Sequence, residues 1–369
     1  MTFLLFFWMM FRMRKSLFFV LSLVIPMLGG CCSTCCHKSE PQTMSVLSFN
    51  IWQEGTRVEN GFEYIADNIA KLQPDVVAFA EIRNYNDTDF IARIIEALGQ
   101  RGQTYYGQKS VSTGIISRYP IEKQEFISPW SNADRGSATK ALIHVDDVPV
   151  AFYALHLDYR HYSSFFPRAY DGNSFTELPD GPITDVQKMW DDNHASYRDE
   201  IVEMVIKDAN AEKDKGNQIF ICGDFNEPSH LDWKEDTKDL FEHRGVVIEW
   251  ENSKKITDAG YIDSYREVYP NPVTHPGFTF PSNNPAVEVK ALAWAPKADE
   301  RDRIDFIYYS PGKYIKKVQD SYLVAPYSDI LRGERTAYTG QDQFIEPVNG
   351  WPTDHRAVLT VFEKKKHHK

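Results

Sequence analysis

From Met44 onward the chain describes an α/β (α+β) layered domain. Short apolar strand-like runs alternate with amphipathic helical ones, strands dominate the middle, and no linker, repeat or low-complexity tract divides the region. The expected domain spans residues 44–363.

The elements follow from local pattern. "SVLSFNIW" reads as a strand, "GFEYIADNIAKLQ" as a helix and "PDVVAFAE" as a strand. "TDFIARIIEALGQ" puts Phe90, Ile91, Ile94, Ile95 and Leu98 on one helical face. Strands "STGIISRYPI", "TKALIHV" and "VPVAFYALHL" come next, with few helices between them. A long helix around "ASYRDEIVEMVIKDANAEK" is stopped by Gly216. "NQIFICGDFN", "RIDFIYYS", "VQDSYLV" and "HRAVLTVFE" supply the remaining strands. Residues 159–193 and 325–352, rich in aromatics, Gly and Pro, read as long loops, which in a compact domain are often functional.

Composition narrows the class. With 42% hydrophobic and 25% charged residues, the chain has the profile of a soluble globular protein. A net charge of -11 opposes tight, non-specific binding to a polyanion. A duplex-wrapping protein is thereby disfavoured, and no stable nucleic-acid partner is expected. An enzyme that meets phosphates through bound cations is not disfavoured. Four of the five cysteines, Cys31, Cys32, Cys35 and Cys36, crowd one segment, so Cys222 has no partner for a disulfide inside the domain. The crowded segment lacks a second ligand pair at finger-like spacing, which argues against zinc.

The start of the chain reads as a leader. "MRKSLFFVLSLVIPMLGGC", from Met13, has a basic start, an apolar stretch and small residues before a cysteine, the layout of a secretory signal peptide over residues 1–30. Leu28-Gly29-Gly30-Cys31 resembles a bacterial lipobox, which makes Cys31 the expected lipid attachment point. Residues 31–43 then form a tether and 364–369 a basic tail. The expected location is outside the cytoplasm, on a bacterial membrane.

Polar residues recur where apolar strands stop. Asn50 ends "LSFN", Glu81 ends "VVAFAE", and His156 and Asp158 end "FYALHLD". Asp224 and Asn226 end "IFICGDFN", Asp305 lies in "DRIDFIYY", and Asp354-His355 precede the last strand. Singly, each is explained by turn chemistry. Together they suit phosphoester chemistry: hard divalent cations take oxygen ligands, neutral amides bind phosphoryl oxygens without added charge, and a His held by an Asp moves or stabilises a proton.

In this order, "LSFNIW", the glutamate of "VVAFAEI", "ALHLD", "GDFNEP", "RIDFIYY" and "TDHRAV" resemble the endonuclease/exonuclease/phosphatase superfamily over nearly all of 44–363. Its members include pancreatic deoxyribonuclease, abasic-site endonucleases, inositol-polyphosphate 5-phosphatases and neutral sphingomyelinases. GDFN and a terminal TDH are weak alone; six motifs in order are specific. The resemblance implies a four-layered sandwich of two packed β-sheets flanked by helices, with a magnesium- or manganese-dependent cleft holding one ion or two. It implies that Glu81 is the principal metal ligand, with Asn50 and Asp354 near the metal, and that His156 contacts phosphate. Asp224 then orients or deprotonates the attacking water, Asn226 binds the oxyanion, and Asp354 partners His355 as base or transition-state stabiliser.

The motif Arg, aliphatic, Asp, aromatic selects Asp305 over Asp302, which strand alternation puts on the other face. Arg135 matches loosely a phosphate-contacting arginine. His230 and Asp232 fit no role shared across the superfamily, and a helix N-cap at Ser229 accounts for that segment equally well. The expected activity is metal-dependent hydrolysis of a phosphoester, as phosphodiesterase or phosphatase. A secreted nuclease, a sphingomyelinase-like lipid phosphodiesterase and an inactive binding lipoprotein remain alternatives.

Overall fold

The computed structural model describes residues 42–128 and 135–365. In chain order it begins with β1 (Thr43–Asn50), α1 (Gly61–Leu72), β2 (Val76–Ile82), α2 (Phe90–Gln100), β3 (Tyr106–Gly107) and β4 (Ser112–Ser117). β5 (Ile121–Phe126), β6 (Ser137–Val145), β7 (Val148–His156), α3 (Val186–Asn193), α4 (Arg198–Asp214) and β8 (Gln218–Asp224) follow. Next come α5 (Glu251–Asp258), β9 (Ile262–Asp263), α6 (Ser264–Val268), β10 (Asp305–Tyr309) and β11 (Ile315–Val324). β12 (Ser328–Leu331), β13 (Glu334–Ala337), β14 (Phe344–Ile345) and β15 (Ala357–Lys364) close the series.

Two sheets result. One runs β14-β11-β15-β1-β2-β4-β3 and the other β5-β6-β7-β8-β10-β9. Alternation along single strands shows how they stack. On β1, Met44 and Val46 enter the layer between the sheets, while Leu47 and Phe49 pack outward with Ile65 and Ile69 of α1 and Ile94 of α2. On β7, Val150 and Phe152 face the same central layer, while Tyr153 and Leu155 face Val202 and Val205 of α4. Three apolar layers therefore separate helix, sheet, sheet and helix, the four-layered sandwich implied by the resemblance. Truncating a fully buried ring of the central layer, as in Phe152→Ala, would cost about 3–5 kcal/mol.

Four local readings are corrected, the first being 325–352, which holds β12, β13 and β14 and is not loop throughout. "STGIISRYPI" is not one strand: β4 pairs in the first sheet and β5 in the second, so the chain changes sheets at Arg118–Pro120. Pro120 supplies the break, having no N–H for a ladder. Within 159–193 stands α3, capped by Asp185, whose carboxylate accepts from the Gln187 and Lys188 amides. Its polar sequence buries only Met189 and Asn193, too narrow a stripe to read as amphipathic. Ser229 caps no helix; its Oγ accepts from the Leu231 amide in a turn. The leader with Cys31, most of the tether, and residues 366–369 lie outside the described residues. No helix of the described residues is long and apolar enough to cross a membrane.

Candidate active site

Strand register brings the polar residues together. In the second sheet, β7 and β8 are parallel with His156 opposite Asp224, and β10 is antiparallel with Asp305 opposite Asp224. These three residues therefore stand abreast at one end of three adjacent strands. The close β7–β8 approach requires Gly223, which has φ +142°; a Cβ there would lie 2.0 Å from the Leu155 carbonyl oxygen. In the first sheet, Asn50 ends β1, Glu81 is near the end of β2, and His355 precedes β15. The two sheets contribute to a single cleft.

Glu81 is aimed by a bulge. Pairing of β2 with β4 shifts register between Ala80 and Ile82, and Glu81 takes φ +73°. A non-glycine residue in this region is strained, and a bulge re-aims its side chain. The carboxylate accepts from the Gln53 amide at 3.0 Å and stands 3.3 Å from the Arg83 guanidinium.

Asn50 joins the sheets. Its Nδ2 lies 2.9 Å from Asp224 Oδ2, 3.2 Å from Glu81 Oε1 and 3.3 Å from His355 Nε2. Two amide hydrogens serve the two carboxylates, which leaves His355 Nε2 free to carry its own proton. Asn50 Oδ1 accepts from the Trp52 amide at 3.0 Å. Asn50 thus turns its NH2 to the two carboxylates and its oxygen to the Trp52 amide.

The partner of His355 is also corrected. Its Nδ1 lies 2.9 Å from Asp305 Oδ2, whereas the Asp354 carboxylate accepts from Thr353 Oγ1 at 3.3 Å. Asp354 and His355 lie in a bend just before β15, and only the second of the two reaches Asp305.

Burial and mutual repulsion shape the charges. Burial disfavours the His355 imidazolium, but Asp305 and Asp224 outweigh it and raise the group to about 10. Burial foremost, with the charge of Asp305, pushes Asp224 up to about 8. Asp354 is raised to about 7 by burial and then by Glu81, against the pull of His355. His156 is lowered to about 4, chiefly by burial, and is a neutral imidazole near Ser112 Oγ at 3.3 Å.

This crowd of carboxylates fits a divalent cation. Glu81 and Asp354 repel each other on the cleft lining and offer hard oxygen donors. Deeper in, Asp224, Asp305 and His355 hold ligand atoms within 4.8 Å of one another, and Asp305 Oδ1 is buried without a hydrogen-bond partner.

Other expected residues fall elsewhere. Asn226 lines the cleft, with its amide donating to the Leu157 carbonyl at 3.0 Å and its backbone N–H to Asp224 at 2.9 Å. Asp158 lies beneath, in a salt bridge with Arg160 at 2.8 Å. Arg135 is exposed away from the lining, with its guanidinium 4.7 Å from the Tyr197 ring centre. Asp232 is structural, bridging Arg266 and Arg303, and His230 bonds Ser253 of α5.

Sequence reasoning missed Arg57, Gln53 and Trp52, which line the cleft from the irregular stretch after β1. It also missed Trp294, which lines the cleft with Tyr159, Phe165 and Phe175. The aromatic density of 159–193 was the available signal for the last three; nothing local marks Arg57 or Trp294.

The sequence profile of the endonuclease/exonuclease/phosphatase family matches residues 47–355. The chain is 30% identical over 350 residues to the Caenorhabditis elegans protein F14F9.5, described as uncharacterized, spanning 93% of this chain and 98% of that one. Among solved structures, truncated C. elegans TDP2 is similar at TM-score 0.48 and 15% identity, over 87% of this chain and 97% of that one. An endonuclease/exonuclease/phosphatase family protein of Bacteroides thetaiotaomicron is similar at TM-score 0.47 and 16% identity, over 88% and 98%.

Proposed function

The chain belongs to the endonuclease/exonuclease/phosphatase family, and on that premise we propose that it hydrolyses a small phosphoester with a divalent cation, magnesium or manganese. The observation that carries this reading is the hydrogen-bonded set Asn50, Asp224, His355 and Asp305, which spans both sheets beside Glu81 and His156.

Each residue has a task that its surroundings suit. In its ionised form, which burial makes the more basic, Asp224 receives a proton from the attacking water as the water oxygen bonds to phosphorus. His355, kept as an imidazolium by Asp305, faces the negative charge that grows on the phosphoryl oxygens. Neutral His156 donates a hydrogen bond to the same group without adding charge, and Asn226 stands beside it on the lining. Asn50 fixes Asp224 and Glu81 at bonding distance from one amide. Glu81 and Asp354 would hold the cation, which supplies Lewis-acid neutralisation of the phosphoryl oxygens. The ester P–O bond breaks, and the alcohol leaves with a proton from solvent.

The test is hydrolysis of bis-p-nitrophenyl phosphate and p-nitrophenyl phosphate by residues 37–369 with magnesium, manganese or EDTA. Turnover that needs metal and is lost in His355→Ala and Asp224→Asn is expected. Folded protein that turns over neither ester with either metal would overturn the reading.

We propose further that the chain is exported and lipid-anchored at Cys31, a reading supported by the basic, apolar and small-residue succession of the leader. Expressed in a bacterium, the full chain is expected in the membrane fraction and Cys31→Ala outside it. Equal partitioning of the two would refute the anchor.

A further inference from the structure

Two chemically distinct groups of side chains line the cleft. Glu81, His156, Asp224, Asn226, Asp354 and His355 form one; Tyr159, Tyr162, Phe165, Phe175, Phe280 and Trp294 form the other. The space between is about 350 Å³, near the lower end of the roughly 300–1,000 Å³ of small-molecule pockets.

The aromatic wall is built, not incidental. Phe175 meets Trp294 edge to face with ring centres 4.3 Å apart, and Tyr159 lies within 24° of parallel to Phe175 at 6.4 Å. Phe280 reaches the reaction centre, with its ring centre 5.0 Å from that of His355. The wall is fastened from behind. Buried Asp302 accepts from Tyr162 Oη at 3.0 Å, Ser164 Oγ at 3.1 Å and Arg168 at 2.5 Å. Glu300 accepts from the backbone amides of Trp294 and Ala295, each at 2.8 Å. Trp294 is nevertheless 39% exposed, so a residue fastened through its backbone keeps an accessible side chain on the cleft lining.

We infer that this wall is a subsite for a planar aromatic substituent of the phosphoester, held by Trp294, Phe175 and Tyr159 while the phosphoryl group lies at His156, Asn226 and His355. The inference rests on the phosphoester reading above. Aromatic rings pair offset or edge to face with centres roughly 4.5–7 Å apart, so a ligand ring extends a cluster whose own spacings are of that order. A quaternary ammonium would meet Arg57 on the same lining, and the Tyr159 ring already has the Arg160 guanidinium 6.0 Å from its centre.

The test is competitive inhibition of bis-p-nitrophenyl phosphate hydrolysis, with calorimetric binding in the same metal, by phenylphosphonate, cyclohexylphosphonate, methylphosphonate and phosphocholine. Phenylphosphonate is expected to bind about tenfold tighter than methylphosphonate and about threefold tighter than cyclohexylphosphonate. Trp294→Ala, and independently Phe175→Leu, should shrink the phenyl-to-methyl ratio to below about threefold. Equal binding of phenyl- and methylphosphonate, tighter binding of phosphocholine, or a ratio that survives both substitutions would overturn the subsite while leaving the hydrolase intact. Absence of all phosphonate binding together with absence of hydrolysis would remove the phosphoester reading itself.

Discussion

His355 bonds through Nδ1 to Asp305 across the sheet edge, 2.9 Å away, and not to Asp354 beside it in the chain. The two acids therefore have separable tasks. Asp305→Asn should lower kcat by about 10²- to 10⁴-fold at saturating metal, because the imidazolium loses the charge that holds it. Asp354→Asn should instead raise the metal concentration for half-maximal rate on the order of tenfold. Metal titrations of kcat separate them; identical profiles would reject the assignment.

Glu81 reaches the cleft from a bulge at φ +73°. Glu81→Gln keeps the shape and removes the charge. Metal binding by calorimetry should weaken by about 10²-fold, as several kcal/mol of cation attraction are removed. The circular dichroism spectrum should not change, and metal affinity equal to that of the parent would exclude Glu81 as a ligand.

Arg57, exposed on the cleft lining, is placed to meet phosphate, whereas Arg135 rests on Tyr197 outside it. Arg57→Ala is expected to raise KM by about tenfold, the loss of one charge-assisted contact of about 1.4 kcal/mol. Arg135→Ala should stay within about twofold. Steady-state kinetics with the reverse order would move the phosphate contact to the other arginine.

Gly223→Ala should be among the most damaging substitutions in the chain. The added carbon would meet the Leu155 carbonyl at 2.0 Å in a backbone conformation that alanine avoids. A loss of at least about 3 kcal/mol in urea unfolding is expected. A well-folded, fully active variant would show that β7 and β8 can separate without disturbing His156 and Asp224.

Glu300 sets a pH dependence of stability. Burial raises its carboxyl to about 7, and its Oε1 has no partner. Between the unfolded value near ~4.3 and this raised one, the native state binds a proton that the unfolded state does not, so stability falls as pH rises. The full effect, about 4 kcal/mol, accrues from roughly pH 4 to pH 8. Glu300→Gln should gain stability relative to the parent by that amount across the range. A pH-independent difference in urea midpoints would place the titration elsewhere.

The site residues were legible because each interrupts a strand pattern: alternation stops at Asn50, Glu81, His156 and Asp224 with a polar group in place of the next apolar one. What the sequence hid is non-local. That Asp305 faces His355 depends on β10 running antiparallel beside β8, a pairing between residues about 80 positions apart, as Asp305 opposite Asp224 shows. Arg57 was hidden because Trp52, Gln53 and Glu54 all take positive φ, a backbone path that no turn residue announces. Buried Glu54 holds that path by accepting from the Arg83 and Asn84 amides, at 2.9 and 2.6 Å. The passage between sheets at Arg118–Pro120 was concealed by apolar residues on both sides.

The Asn50–Asp224 bond has one end on each sheet. Catalytic competence is therefore a ruler laid across the sandwich: a sideways slip of one sheet by a fraction of a bond length disarms the centre, although no loop has melted. Heat inactivation should coincide with loss of the central apolar layer, and surface loops should tolerate insertions that the two sheet edges do not.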